Sequence, residues 1–183
     1  MNPTIKTIKE RRAIRAFQDK PIEKEKINEI IECGLWAPSA RNKQSWKFIV
    51  VADKDLIKEM GKRVQEKVID NPRYSFVKER AQTKEDAIFY SAPVVVFILG
   101  DKSNKWSTID CSLAVQNMML AAHSLGIGSC PIGMARFVVD EKDFVERLGF
   151  SDDCEIVLTL AFGYADENPE PKDRKKDVVT WVE

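Results

Sequence analysis

The sequence predicts an α+β fold in one domain, and three observations predict it. A length of 183 residues suits one compact core and leaves little room for a second. Amphipathic helical patterns alternate with β-branched, strand-like runs. No internal repeat or low-complexity linker interrupts them before a Pro-rich stretch close to the end. We therefore read residues 1–183 as one unit, with residues 165–183 as an arm.

Each element follows from local chemistry. Asn2 caps a first helix with Pro3 in its first turn, running to about Arg12. A second spans about Glu23 to Cys33 on an apolar stripe of Ile27, Ile30 and Ile31. "SWKFIVV" (45–51) reads as a strand and "DKDLIKEMGKRVQEKV" (53–68) as an exposed amphipathic helix. Residues 71–87 are highly charged and helical only in parts, while "PVVVFILG" (93–100) is a buried strand. Ser107 is expected to cap the next helix, with Asp110 at its third position, and Gly126 stops it. That helix is apolar on nearly every side, so it belongs in a core or an interface. A short helix (141–148) and a buried strand, "CEIVLTLAFGYA" (154–165), complete the body. The tail "DENPEPKDRKKDVVTWVE" starts extended and ends β-like, and a strand on a tether needs another surface to pair with.

Composition excludes several classes. With 29 basic and 29 acidic residues the net charge is zero, so no broad field exists for nucleic acid. Cys33, Cys111, Cys130 and Cys154 form no CxxC pair, and His123 alone cannot complete a zinc site with them. "MNPTIKTIKE" lacks the apolar core of a signal peptide, and "APVVVFILG" is too short to span a bilayer. The expected setting is a reducing cytoplasm, with no membrane partner.

Three stretches carry candidate chemistry. In "RRAIRAF" (11–17), a helix would place Arg11 and Arg15 on one face with Arg12 beside Arg15, a fork for one anionic group. The same charges also suit a helix C-terminus standing in water. "WAPSARNKQSW" (36–46) offers the neutral groups of Ser39, Asn42 and Gln44 after Pro38, suited to a heterocycle edge or sugar chain; as a plain turn it needs only tryptophan anchors. "GIGSCPIG" (126–133) follows a helix, not a strand, and lacks GxGxxG spacing, so it is no dinucleotide fingerprint. It remains a small-residue segment where backbone can approach a flat ligand, with Gly133 removing side-chain bulk.

Taken in order, these stretches resemble the FMN-dependent nitroreductase family over almost the whole chain. "RRAIRAF" is similar to its RRSIR-type motif, "WAPSARNKQSWKF" to APSAxNxQPW, "GIGSCPIG" to GLGSCWIG, and "LAFGYADENPEPKDRKK" to the closing LxLGYP strand and basic arm. The resemblance implies a mainly antiparallel central sheet flanked by helices, and a homodimer whose C-terminal arms are exchanged. It implies FMN held by Arg11, Arg12 and Arg15. Pro38, Ser39, Asn42 and Gln44 would come from the second subunit, Pro131, Ile132 and Gly133 would lie near the isoalloxazine, and Lys172 and Arg174 near the phosphate.

The implied activity is ping-pong transfer of hydride from NAD(P)H through the flavin to a nitroaromatic, quinone or other electron-poor small molecule. No dedicated catalytic acid, base or nucleophile is expected. The segment 62–90 is expected to roof the pocket. Two departures stand out: Ala13 where the family has Ser, and Ser45 where it has Pro. A flavin-carrying or redox-sensing module without turnover, and a flavin-free interaction dimer, are the alternatives; yellow colour and its bleaching by NAD(P)H separate them.

Overall fold

A computed structural model describes residues 1–183. Helix α1 (Pro3–Glu10) precedes an extended segment, and α2 (Lys24–Leu35) leads through a tight loop into strand β1 (Trp46–Val51). Helices α3 (Lys54–Val68) and α4 (Ser75–Ala81) precede β2 (Val94–Asp101), followed by α5 (Ser107–Ser124) and β3 (Gly128–Pro131). A 3-10 stretch, Gly133–Asp140, then α6 (Lys142–Leu148) and β4 (Cys154–Gly163) close the body.

The sheet runs β1-β2-β4-β3 and every pairing is antiparallel. Central β2 is covered on both faces, and its alternating side chains divide the core. Val95, Phe97 and Leu99 join the cluster beneath α3 and the 3-10 stretch, which includes Met60, Phe89 and Phe144. Val94, Val96 and Ile98 join the cluster beneath α2 and α5, with Ile30, Met118 and Phe162. A one-residue register slip would exchange these sets, so the pattern pins the pairing. Against the first face, Arg63 of α3 pairs with Glu59 of its own helix (2.7 Å) and Asp143 of α6 (2.8 Å), while Lys67 pairs with Asp140 (2.8 Å).

The α+β class and the antiparallel sheet are as expected, but three local readings change. Helix α1 ends at Glu10, although Asn2 caps it as expected through Thr4 N–H (2.9 Å). It buries no residue, so extending it gains little packing. The chain instead straightens to bury Ile14, whose N–H donates to Ser129 O (3.0 Å), and forms bridges Ala13 to Ser129 and Phe17 to Ala165. Ser107 is the first residue of α5 and Trp106 its cap. The Ser107 side chain packs over Gly100 of β2, where an added Cβ would lie 3.0 Å from its Oγ. Residues 128–131, expected as part of an irregular small-residue segment, form strand β3, and 133–140 are 3-10 helix. Residues 178–182, expected to pair with another surface, form no strand within the single chain and are exposed.

Candidate functional site

The extended run after α1 lies along β3, so Arg11, Arg12 and Arg15 do not form the helical face expected of them. They serve two neighbouring hollows instead. Arg11 and Arg12 line a cavity of about 240 Å³ with His123, Ser129 and Glu167. Arg15 lines another of about 370 Å³ with Arg80, Tyr90 and the expected Pro131, Ile132 and Gly133.

The smaller cavity, lined by Glu10 and Glu167 as well as by Arg11 and Arg12, holds polar atoms without partners. Arg11 Nη1 is buried without a hydrogen-bond partner, and so is Ser129 Oγ. Burial, then the neighbouring Arg12 and Arg174 guanidinium groups, push the pKa of Arg11 down. A partly desolvated cation beside two others, with an idle donor, is a site that an anionic oxygen would complete. His123 is held below its ordinary pKa by burial first, which favours the neutral ring.

Around Arg15 the backbone is fixed from two sides. Its N–H donates to the Glu167 carboxylate of the arm, and its carbonyl accepts from Lys84 Nζ (2.5 Å). Below it, Arg80 Nη1 donates to Tyr90 Oη (2.7 Å) and to Ala87 O (3.0 Å). Burial raises the Tyr90 pKa against the opposing pull of Arg80 and Arg15. Tyr90 and Ser91 both have positive φ (61° and 57°), and buried Asp86 shapes that turn. Its carboxylate accepts from the N–H groups of Ile88 (2.9 Å), Phe89 (2.8 Å) and Ser91 (3.1 Å). Cys130 sits behind both hollows, its pKa raised by burial, and is a packed thiol.

The loop holding Ser39, Asn42 and Gln44 lies elsewhere in the chain. Asn42 and Gln44 line a groove with Trp36 that shares no residue with the arginine cavities. Arg41, Asn42 and Gln44 have φ of 55°, 53° and 49°, a run of left-handed conformation that asparagine accepts readily but arginine and glutamine rarely adopt. Ser39 Oγ accepts from Gln44 N–H (3.0 Å), and Asp110 of α5 anchors the loop by accepting from Ala40 N–H (3.0 Å). Ser45, which replaces proline, uses its hydroxyl to accept from Asn104 (2.7 Å). Pro38 is exposed, as are Lys172 and Arg174; of these, only Arg174 is felt by Arg11.

Sequence reasoning missed Tyr74, Phe76, Arg80 and Tyr90 individually, although they lie within the segment expected to roof the pocket. Arg136 and Phe137 were missed altogether, because an irregular 3-10 stretch leaves no periodicity to read.

Residues 8–164 match the nitroreductase family. The chain belongs to the nitroreductase family. Among its relatives in that family is the 4-nitrobenzoate reductase of Pseudomonas putida, 31% identical over 192 residues, with 86% of this chain and 83% of the relative covered. The nitroreductase of Bacteroides fragilis, solved with bound FMN, superposes with a TM-score of 0.88 at 29% identity over 100% of both chains. That of Desulfitobacterium hafniense, also with bound FMN, gives 0.89 at 30% identity over 100% of both. The α+β architecture of this family member is thus the nitroreductase fold.

Proposed function

We propose that this family member is an NAD(P)H-dependent FMN oxidoreductase that reduces a nitroaromatic, quinone or similar electron-poor small molecule by a ping-pong sequence. The observation that carries the reading is that Arg11, whose buried Nη1 has no partner, and Ser129, whose buried Oγ has none, line the same cavity. Cation and hydroxyl together suit a phosphate, so these residues fit FMN.

Arg11 and Arg12 hold the phosphate end, with Arg174 and Lys172 of the arm closing over it. Arg15 serves the ribityl chain or pyrimidine edge, and Pro131, Ile132 and Gly133 bound the ring. A Cβ at Gly133 would meet nothing within 4 Å, so the chain's own packing leaves that space free. When bound, FMN supplies hydride acceptance from NAD(P)H and electron delivery to the acceptor. The protein's part is to bind and orient it, and to place the positive charges of Arg15 and Arg80 beside it.

Pro38, Ser39, Asn42 and Gln44 reach the site from a second copy, which is why their groove stands apart in one chain. Support for a homodimer comes from exposed apolar groups on α5 and its surroundings, Ile109 (52%), Leu113 (41%) and Trp36 (79%). The open edge of β1 and the exposed "VVTWV" supply strand and acceptor for an exchanged arm, residues 165–183 of one continuous domain. We place the protein in a reducing cytoplasm, a setting its four free thiols fit; no helix is long and apolar enough to cross a membrane.

The test is steady-state turnover with an NAD(P)H donor and a nitroaromatic acceptor, with and without added FMN. FMN-dependent turnover with parallel double-reciprocal lines is expected. FMN uptake without any turnover would instead favour a flavin-carrying or sensing module.

A further inference from the structure

The cavity lined by Arg15 also carries a wall that flavin binding does not require. Tyr74 packs edge-on against Phe137 (centroids 5.7 Å apart, 78°) and against Phe76 (6.4 Å, 80°), and all three line the cavity. Arg136 spans this wall: its guanidinium lies over the Phe137 ring (5.1 Å), and Nη2 donates to Tyr74 Oη (3.1 Å). Three arginines and no carboxylate line this hollow.

Arg136 has acidic neighbours along its own element, yet pairs with none. Asp140 goes to Lys67 (2.8 Å) and Glu141 lies beside Arg63 (3.6 Å) and Lys67 (3.9 Å). Arg80 has turned inward to Tyr90 and Ala87. Arg136 is the guanidinium at this wall whose remaining donors, four of the five in its planar fork, stay free for a ligand.

We propose that the acceptor is a planar aromatic carboxylate, with its ring on the Tyr74, Phe76 and Phe137 wall and its carboxylate on Arg136. This rests on the oxidoreductase reading above and adds the substrate class and a specificity-determining residue. A carboxylate held there leaves the electron-poor end for the Arg15 and Pro131–Gly133 side of the same cavity. For a nitro substrate one turn is ArNO2 + NAD(P)H + H⁺ → ArNO + NAD(P)⁺ + H2O, so the carboxylate serves recognition and takes no part in the redox balance.

The experiment compares kcat/KM for 4-nitrobenzoate with that for uncharged 4-nitrobenzyl alcohol, in the FMN-loaded wild type and in Arg136→Gln and Arg136→Lys, with rates normalised to flavin content. Taking the ratio in each variant cancels the intrinsic reducibility of the two acceptors. Arg136→Gln should lower the ratio about tenfold, as expected for loss of one charge-assisted contact, chiefly through KM for the acid. Arg136→Lys should restore part of it. An unchanged ratio in Arg136→Gln, in a protein whose flavin still bleaches with NAD(P)H, overturns the carboxylate assignment alone. A protein that takes up no FMN overturns the reading beneath it and this proposal together.

Discussion

At the scale of single residues, two of the four buried side-chain atoms without partners, Arg11 Nη1 and Ser129 Oγ, belong to residues that line the proposed phosphate cavity. Arg11→Ala removes a half-buried side chain just past the end of α1, whose buried Nη1 has no hydrogen bond to lose. It should weaken FMN binding by about 1.5–3 kcal/mol with little change in thermal stability. Fluorescence titration and a thermal melt check the two halves. Asp86 is the opposite case, a buried carboxylate serving three backbone N–H donors that hold Tyr90 at positive φ. Asp86→Ala should destabilise the fold by about 2–4 kcal/mol, read by urea unfolding. The arginine motif was legible as chemistry, since clustered guanidinium groups imply an anion. Its geometry was not, because burial of Ile14 against β3 outweighs local helix propensity, which no local pattern announces. Tyr90 was illegible for a similar reason: its place depends on a turn held by Asp86, four residues away.

At the scale of elements, legibility follows periodicity. Helices α2 and α3 repeat their apolar residues at intervals that report which face is buried, whereas β2 and β4 read as near-continuous apolar runs and α5 is apolar on nearly every side, which reports burial without naming one face. Strand β3 and the 3-10 stretch are too short or irregular to do so, and both line the site. The join between α2 and β4 makes its own prediction. Tyr164 Oη donates to Glu23 (2.5 Å) and accepts from Lys26 Nζ (2.7 Å). The Tyr164 hydroxyl first, then backbone donors and Lys26, hold the Glu23 carboxyl at about 2, below its ordinary 4.5. A depressed pKa means that the unfolded chain takes up the proton first. The tie therefore contributes fully above pH 4.5 and is lost as pH falls through about 2. Tyr164→Phe should show a shallower loss of stability than wild type across that interval, measured by denaturant unfolding at stepped pH. Parallel curves would mean that the tie adds nothing in solution.

At the scale of the whole molecule, three features of one chain stand open. The arginine cavities lack the Ser39–Gln44 loop, β1 has a free edge, and Trp181 is 82% exposed. In the homodimer we propose, a second copy would resolve all three at once. Truncation before Pro169 should therefore abolish both FMN retention and the dimer, since it removes Lys172 and Arg174 together with apolar groups worth about 1.5–3 kcal/mol each when fully buried. Lys172→Ala with Arg174→Ala in the full chain should weaken FMN binding and leave the dimer by light scattering. A soluble, yellow, dimeric truncation product would contradict the exchanged arm. If, as we propose, this protein holds FMN so that it accepts hydride from NAD(P)H and reduces the acceptor, one anaerobic measurement shows both half-reactions. The FMN-loaded protein is titrated with NAD(P)H, freed of the oxidised nicotinamide, and mixed with an aromatic nitro acid while the visible flavin absorbance is followed. We expect bleaching by one equivalent of donor and full recovery of colour on adding the acceptor. Flavin that stays oxidised under excess NADH and NADPH alike, or that bleaches and does not recover, would contradict it.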